Sequence, residues 1–375
     1  MQNNNYLISF VLGTRPEAIK LAPVILEFKK FENVRINIAL SGQHKDMIKS
    51  VMDMFDLKED INLNILKRSI SLDQSISLIL SELSIFFDDI KPDIVFVQGD
   101  TITAFAGALA AFFKSIPIAH VEAGLRTESI FSPFPEEANR RMISQITSLH
   151  FSPTKIAFEN LKNIGINKNV FISGNTVVDA LNFVSKDNNH SNIKNIDIYK
   201  ENYILTTVHR RENWGEPIRN IAKGILNIAK KNKNLKFIIP MHENPLVRVP
   251  LLDILGNNQN ILLIDPLPYC EFILTLRHST IVLTDSGGIQ EEAHTLGKPT
   301  LILRDSTERP EVISKGNALL VGTDSNTIER ELNDLLRNAN KFKSHEKNLN
   351  TFGDGNASKF ILEKTIEFLN NKNMI

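Results

Sequence analysis

Short apolar runs rich in β-branched residues alternate along this chain with longer amphipathic segments. The first read as strands buried on both faces and the second as crossover helices, so the rhythm predicts parallel β-α-β units in a doubly wound α/β fold. In the first half the apolar runs fall at residues 6–12, 34–40, 93–97, 117–121, 149–151 and 170–172; in the second half they fall at 203–208, 236–240, 261–264, 281–284 and 300–303. Helical spacing predicts a helix opening with Pro16 and running to about 31, and others at about 216–232, 289–296, 326–337 and 357–370. The last carries Phe360, Ile361, Ile366 and Leu369 at helical spacing and so must pack on something. Between 186 and 202 the Asn-rich stretch 187–192 breaks both periodicities and marks a linker between two domains.

A length of 375 residues agrees with two cores, and with an active site in the cleft between the domains. The 43 Lys and Arg residues are balanced by 43 Asp and Glu, with no long basic run, so nucleic acid is not expected as a partner. A single cysteine, Cys270, rules out an internal disulfide and suits a reducing compartment. The apolar opening at 6–12 lacks both a basic flank and a small-residue cleavage site, and does not read as a signal peptide. The longest apolar candidate for a membrane span, 104–113, is closed by Lys114 well short of about 18 residues. A cytoplasmic protein with no membrane partner is the expectation.

In open parallel sheets ligands bind beyond the carboxyl ends of the strands. The residues there are strongly polar: Gly13-Thr14-Arg15-Pro16-Glu17, Gln98-Gly99-Asp100-Thr101, Glu122-Ala123-Gly124-Leu125-Arg126-Thr127, His209-Arg210-Arg211-Glu212-Asn213 and Asp285-Ser286-Gly287-Gly288. The last has the form of an anion cradle opening a helix, where two glycines permit close backbone approach and the helix start attracts phosphate. Glu292, one turn beyond Gly288, is placed to accept ribose hydroxyls; the same residues also fit an ordinary tight turn capped by Ser286. Arg15 is able to grip a second phosphate face or to face solvent, and Arg304 and Arg309 to close on a ligand or to pair internally. Asp100 and Glu122 end neighbouring strands and form a candidate acid/base pair in which like charges raise one pKa. Glu136 and Arg140, four apart at a helix start, read as a capping carboxylate with a local ion pair, and His209 as a proton carrier, a phosphate donor or a structural histidine. Neither a dinucleotide fingerprint nor a P-loop occurs, since Gly297-Lys298 runs into Pro299, and no His or Cys cluster suggests a metal.

Taken together these clusters resemble the bacterial non-hydrolysing UDP-N-acetylglucosamine 2-epimerases, from Gly13-Thr14-Arg15-Pro16-Glu17-Ala18-Ile19-Lys20 to Gly353-Asp354-Gly355. Between lie Pro135-Glu136-Glu137-Ala138-Asn139-Arg140, Ser173-Gly174-Asn175-Thr176, Thr284-Asp285-Ser286-Gly287-Gly288-Ile289-Gln290-Glu291-Glu292 and Thr307-Glu308-Arg309-Pro310-Glu311. The resemblance implies two Rossmann-like, glycosyltransferase-B-like domains: 1–186, joined by a final helix at 356–375, and 200–350, which holds UDP. It carries phosphate and ribose contacts to Arg15, His209, Ser286, Gly287, Gly288 and Glu292, with Phe272 beside uracil and Arg309 near the phosphates. Proton-transfer groups fall at Asp100, Glu122, Glu136 and His209, with Lys20 and Arg140 in support. Gln43, His44, Arg210 and His242 match an activating second-substrate site, although Asp46 and Ser69 depart from some relatives, and Gln98 stands where many have histidine.

The implied reaction is inversion at C2 of a UDP-N-acetylhexosamine. The C2 proton lacks a neighbouring carbonyl, so elimination of UDP to 2-acetamidoglucal followed by re-addition is the accessible route, with no cofactor. A homodimer serving polysaccharide synthesis is implied as well. Alternatives are C2 inversion of a modified sugar such as a UDP-diacetamido-uronic acid, hydrolytic epimerisation, a glycosyltransferase-B-type transferase, and a non-catalytic sensor.

Overall fold

Near-continuous burial along strands is what a parallel sheet covered by helices on both faces requires, and strand residues 8–12 and 94–98 are buried without a break. The computed structural model describes residues 5–42, 45–65, 71–184, 192–193, 196–314, 317–338 and 350–372. The chain divides into two units: Met1–Phe183 with Phe352–Ile375, and Val184–Thr351.

Unit 1 holds seven strands: β1 (Tyr6–Leu12), β2 (Val34–Leu40), β3 (Ile61–Asn62), β4 (Ile94–Gln98), β5 (Ile118–Val121), β6 (Leu149–Ser152) and β7 (Val170–Ile172). They lie in the order β3-β2-β1-β4-β5-β6-β7, every pair parallel. The helices are α1 (Arg15–Lys29), α2 (Lys45–Met54), α3 (Leu72–Ile90), α4 (Ile102–Phe113), α5 (Glu136–Ile146), α6 (Lys155–Asn163) and α7 (Thr176–Val184). Helix α1 opens one residue earlier than the pattern predicts, at Arg15, because Thr14 is its N-cap and Pro16 falls in the first turn. Phe10 stacks on Phe96 at 4.8 Å while Phe28 of α1 meets both rings edge-on. On α4, Gly107 lets the helix press on β1, since a Cβ there would sit 3.0 Å from Val11.

Unit 2 begins with a short antiparallel ribbon, β8 (Asn192–Ile193) and β9 (Ile196–Asp197). Most of the expected linker, 187–191, lies outside the described residues. The main strands are β10 (Tyr203–Thr207), β11 (Lys236–Pro240), β12 (Ile261–Ile264), β13 (Ile281–Thr284), β14 (Thr300–Ile302) and β15 (Ala318–Leu320), again all parallel, in the order β12-β11-β10-β13-β14-β15. Helices α8 (Glu216–Lys231), α9 (Pro245–Leu255), α10 (Tyr269–His278), α11 (Gly287–Thr295), α12 (Pro310–Ser314) and α13 (Ser325–Arg337) complete it. In each sheet the strand order reverses direction at one point, between β1 and β4 or between β10 and β13, and a crevice at the strand ends follows from that reversal.

The last helix, α14 (Ala357–Lys372), packs on α1. Asn370 accepts from the Tyr6 hydroxyl at 2.8 Å and Asp179 from the Ser358 amide at 2.9 Å, so the chain's final segment completes unit 1. No helix among the described residues is long and apolar enough to cross a membrane.

Candidate functional site

The reversal point of unit 1 is built from three loops. Gly13 ends β1 where no side chain fits, because a Cβ would stand 2.0 Å from the Thr103 hydroxyl. Glu17, in the first turn of α1, reaches back: Oε2 accepts from the amides of Gly13 at 2.9 Å and Thr14 at 2.6 Å, and Oε1 from the Thr101 hydroxyl at 2.5 Å. Burial raises its pKa to about 7 in spite of those hydrogen bonds, which act the other way. His120 Nε2 donates to the Gly99 carbonyl, 2.8 Å away, and burial lowers its pKa to about 4. It is therefore neutral at pH 7, with Nε2–H donating to the carbonyl and holding the left-handed Gly99 turn.

Glu122 follows β5 with φ of 66°, a conformation that costs a non-glycine residue free energy and so points to a constrained role. Lys20 Nζ and Gln98 Nε2 donate to its two oxygens, and both Lys20 and Glu122 are buried. At the end of β4, Asp100 Oδ2 accepts from Arg140 Nε at 2.7 Å and Nη2 at 2.6 Å. Each strand-end carboxylate thus has its own cation. Arg140 does not pair with Glu136 as its spacing suggested: Nη1 reaches buried Glu137 at 3.0 Å, and Glu137 Oε1 also takes Arg141 Nε at 2.8 Å. Glu137, one residue on, occupies the inward position, while Glu136 Oε2 is buried with no hydrogen-bond partner among the described residues. An unsatisfied buried oxygen of this kind costs about 1–3 kcal/mol and calls for a functional explanation. Arg15, the first residue of α1, is half-buried.

In unit 2 the corresponding reversal point is organised by Asp285, which is fully buried. Its carboxylate accepts from the amides of His209 at 3.0 Å and Arg210 at 2.9 Å and from Asn213 Nδ2 at 2.9 Å, fastening the loop after β10 to the end of β13. Burial lowers the His209 pKa, with Asp285 pulling upward and Arg210 downward, so the ring is neutral at pH 7. The His209 and His242 rings stack at 6.1 Å. Arg210 lies 3.7 Å from Glu308, and its Nε is buried without a partner among the described residues.

Ser286 is the N-cap of α11 by backbone conformation only; its side chain makes no cap bond, so the simple capped turn is not what the structure contains. The two glycines differ. A Cβ at Gly287 would stand 2.4 Å from Arg309 Nη1, whereas one at Gly288 would meet nothing within 4 Å. Arg309 is held there by Glu291, which accepts from Nε at 2.5 Å. Arg304 is engaged internally, by Glu212 at 2.6 Å and Glu308 at 2.7 Å. Glu292 accepts from the Tyr269 hydroxyl at 3.0 Å, and Phe272 lies one turn further along α10. Gln43 and His44 lie outside the described residues, as does Ser69.

The structure therefore pairs Lys20 with Glu122 and Arg140 with Asp100 in unit 1, and places His209, Arg309, Gly287 and Glu292 around the β10 and β13 ends in unit 2. Glu17, Glu137 and Asp285, which orient these groups, were not singled out by the sequence as site residues. A carboxylate placed three residues past the N-cap Thr14, in a capping box, was the available signal for Glu17.

Two parallel sheets of Rossmann order, with a final helix returned to the first unit, define an α/β protein of glycosyltransferase-B-like architecture. A kitacinnamycin glycotransferase of 12% identity shares that fold, with a TM-score of 0.59 over 96% of this chain. The sequence model of the UDP-N-acetylglucosamine 2-epimerase family matches residues 26–365, and the chain belongs to that family. It is 44% identical to the UDP-N-acetylglucosamine 2-epimerase of Neisseria meningitidis serogroup A, over 95% of this chain and 98% of the relative. It is also 44% identical to that of Bacillus subtilis, over 95% and 94%. The crystal structure of UDP-GlcNAc 2-epimerase from Neisseria meningitidis bound to UDP-GlcNAc matches with a TM-score of 0.92 at 43% identity, covering 96% of this chain and 100% of that one.

Proposed function

We propose that this protein interconverts UDP-N-acetylglucosamine and UDP-N-acetylmannosamine by reversible inversion at C2, as a cytoplasmic homodimer without a cofactor, supplying polysaccharide synthesis. The observation that carries this reading is the 44% identity, over 95% of this chain, to an epimerase of that name, on a chain whose strand-end carboxylates are each paired with a cation. Unit 2 holds the nucleotide: the start of α11 with Arg309 takes the diphosphate, neutral His209 donates to it, Glu292 binds the ribose and Phe272 flanks the uracil. Arg15 takes a further phosphate face. In unit 1, Asp100, Glu122 and Glu136 are the proton-transfer groups, with Lys20 and Arg140 fixing the first two.

Removal of H2 as the C1–O bond to UDP breaks gives 2-acetamidoglucal and UDP; protonation from the opposite face with re-addition of UDP inverts C2. A dimer contact is supported by the apolar side chains left exposed on the packed pair α3 and α4: Leu78, Ile85, Phe112 and Phe113.

The test is incubation with UDP-N-acetylglucosamine in deuterated buffer, followed by proton NMR and chromatography. The manno epimer should appear with deuterium at C2, and trace glycal with UDP should accumulate. Epimer that keeps its original hydrogen would overturn the mechanism. Turnover only of a UDP-diacetamido-uronic acid, assayed alongside, would assign the other sugar.

A further inference from the structure

A cavity of about 340 Å³ in unit 1 is lined by Arg126, Arg141, Gln145, Asn160, Asn163 and Ile164, none of which is assigned above to nucleotide binding or proton transfer. That volume suits a small-molecule ligand. The lining brings together two guanidinium groups and three amides with no carboxylate. Arg126 makes no ion pair among the described residues; its Nη1 and Nη2 donate to the Leu125 carbonyl at 2.7 Å and the Ser144 hydroxyl at 2.8 Å. Both acceptors are neutral, so its charge is uncompensated by direct contact. Arg141 is partly exposed, donating Nε to Glu137 and Nη2 to the Thr127 carbonyl at 3.1 Å. Asn160 commits one amide proton to the Gly124 carbonyl at 3.0 Å, which steadies the loop that carries Arg126.

Planar guanidinium groups at a lining without carboxylates are suited to phosphate oxygens, and amides beside them to hydroxyls, while Ile164 and the side-chain stems supply the apolar wall. We infer that this cavity binds a phosphate-bearing anion, held between Arg126 and Arg141, with Gln145, Asn160 and Asn163 taking any hydroxyls it carries. The site is wired to unit 1's strand ends: Arg141 shares Glu137 with Arg140, and Arg140 holds Asp100. An occupant that draws Arg141 away leaves Glu137 to Arg140 and the Thr127 amide and changes the clamp on Asp100.

The experiment is calorimetric titration of the full chain, with UDP in excess, using glucose 6-phosphate, inorganic phosphate and glucose as probes. At least one phosphate compound should bind saturably with Kd of roughly 0.1–1 mM, and glucose should not bind. Tighter binding of glucose 6-phosphate than of phosphate identifies a sugar phosphate as occupant; equal binding identifies free phosphate. Arg126→Gln and the exposed-site variant Asn163→Glu should each weaken binding about tenfold or more. Hydrogen exchange on the unaltered protein should show the bound probe protecting residues 124–127 and 155–164. Absence of saturable binding, unchanged affinity in Asn163→Glu, or protection confined to unit 2 would overturn the assignment.

Discussion

Adjacent glycines at the start of α11 should respond to the same substitution in opposite ways. A methyl at Gly287 would sit 2.4 Å from Arg309 Nη1 and 2.7 Å from Cζ, more than 1 Å inside ordinary contact. The guanidinium cannot simply swing away, because Glu291 holds its Nε at 2.5 Å and both side chains are buried. Overpacking on this scale costs about 1–3 kcal/mol, which corresponds to a fall of roughly 2–12 °C in Tm. Gly288→Ala meets nothing within 4 Å, so stability should be unchanged or gain up to about 1 kcal/mol from lost unfolded-state freedom. Yet that open space is where the diphosphate is proposed to approach, and Gly288→Ala should weaken UDP binding by at least about tenfold, or 1.4 kcal/mol. Scanning calorimetry and UDP titration on the two variants separate the effects. A Gly288→Ala protein that binds UDP as tightly as the parent removes the helix start as the phosphate seat. A Gly287→Ala protein that melts with the parent shows that Arg309 does not pack there.

Other consequences are equally accessible. Asp100→Asn, Glu122→Gln and Glu136→Gln should each retain UDP binding and lose most epimerisation, at least about 100-fold in kcat for a proton-transfer group; near-normal turnover in any one removes that residue from the set. Asp285→Asn puts an amide where three donors converge and should cost about 2–3 kcal/mol in denaturant unfolding, along with weaker UDP binding; a loss below about 0.5 kcal/mol contradicts the fastening role. Glu17 has a folded pKa of about 7, above its ordinary 4.5, so the folded state binds that proton more tightly. Its contribution is fully present below pH 4.5 and is lost as pH rises through 7, by up to about 3 kcal/mol. The stability difference between Glu17→Gln and the parent should therefore change across that window, and a pH-independent difference would refute the assignment.

The α/β class and most main strands were legible because burial on both faces writes a nearly unbroken apolar run, as in β4 and β13. The two-residue β3 and three-residue β15 were not, since edge strands this short carry no period. Strand-end placement identified Asp100, Glu122 and His209 as polar groups at the sheet rims, because chain order fixes it. Pairing was another matter. Spacing along α5 linked Arg140 to Glu136, but the partners Asp100 and Glu137 are chosen by how that helix rolls against the β4 end, a tertiary fact. Asp285 read as part of an anion cradle, whereas its carboxylate is engaged by backbone amides 75 and 76 positions earlier. The two glycines looked equivalent in sequence; only the arginine lodged against the first tells them apart.

The bond from Tyr6 to Asn370 joins points 364 positions apart, and it sets an order of events at the ribosome. The half of the protein that is synthesised first must wait for the final stretch to emerge before its layer beside α1 is closed, while the half made in between is contiguous and free to mature sooner. Nascent chains will therefore hold an unfinished amino-terminal half, and premature termination near the end should damage the beginning of the molecule rather than the segment just before the stop.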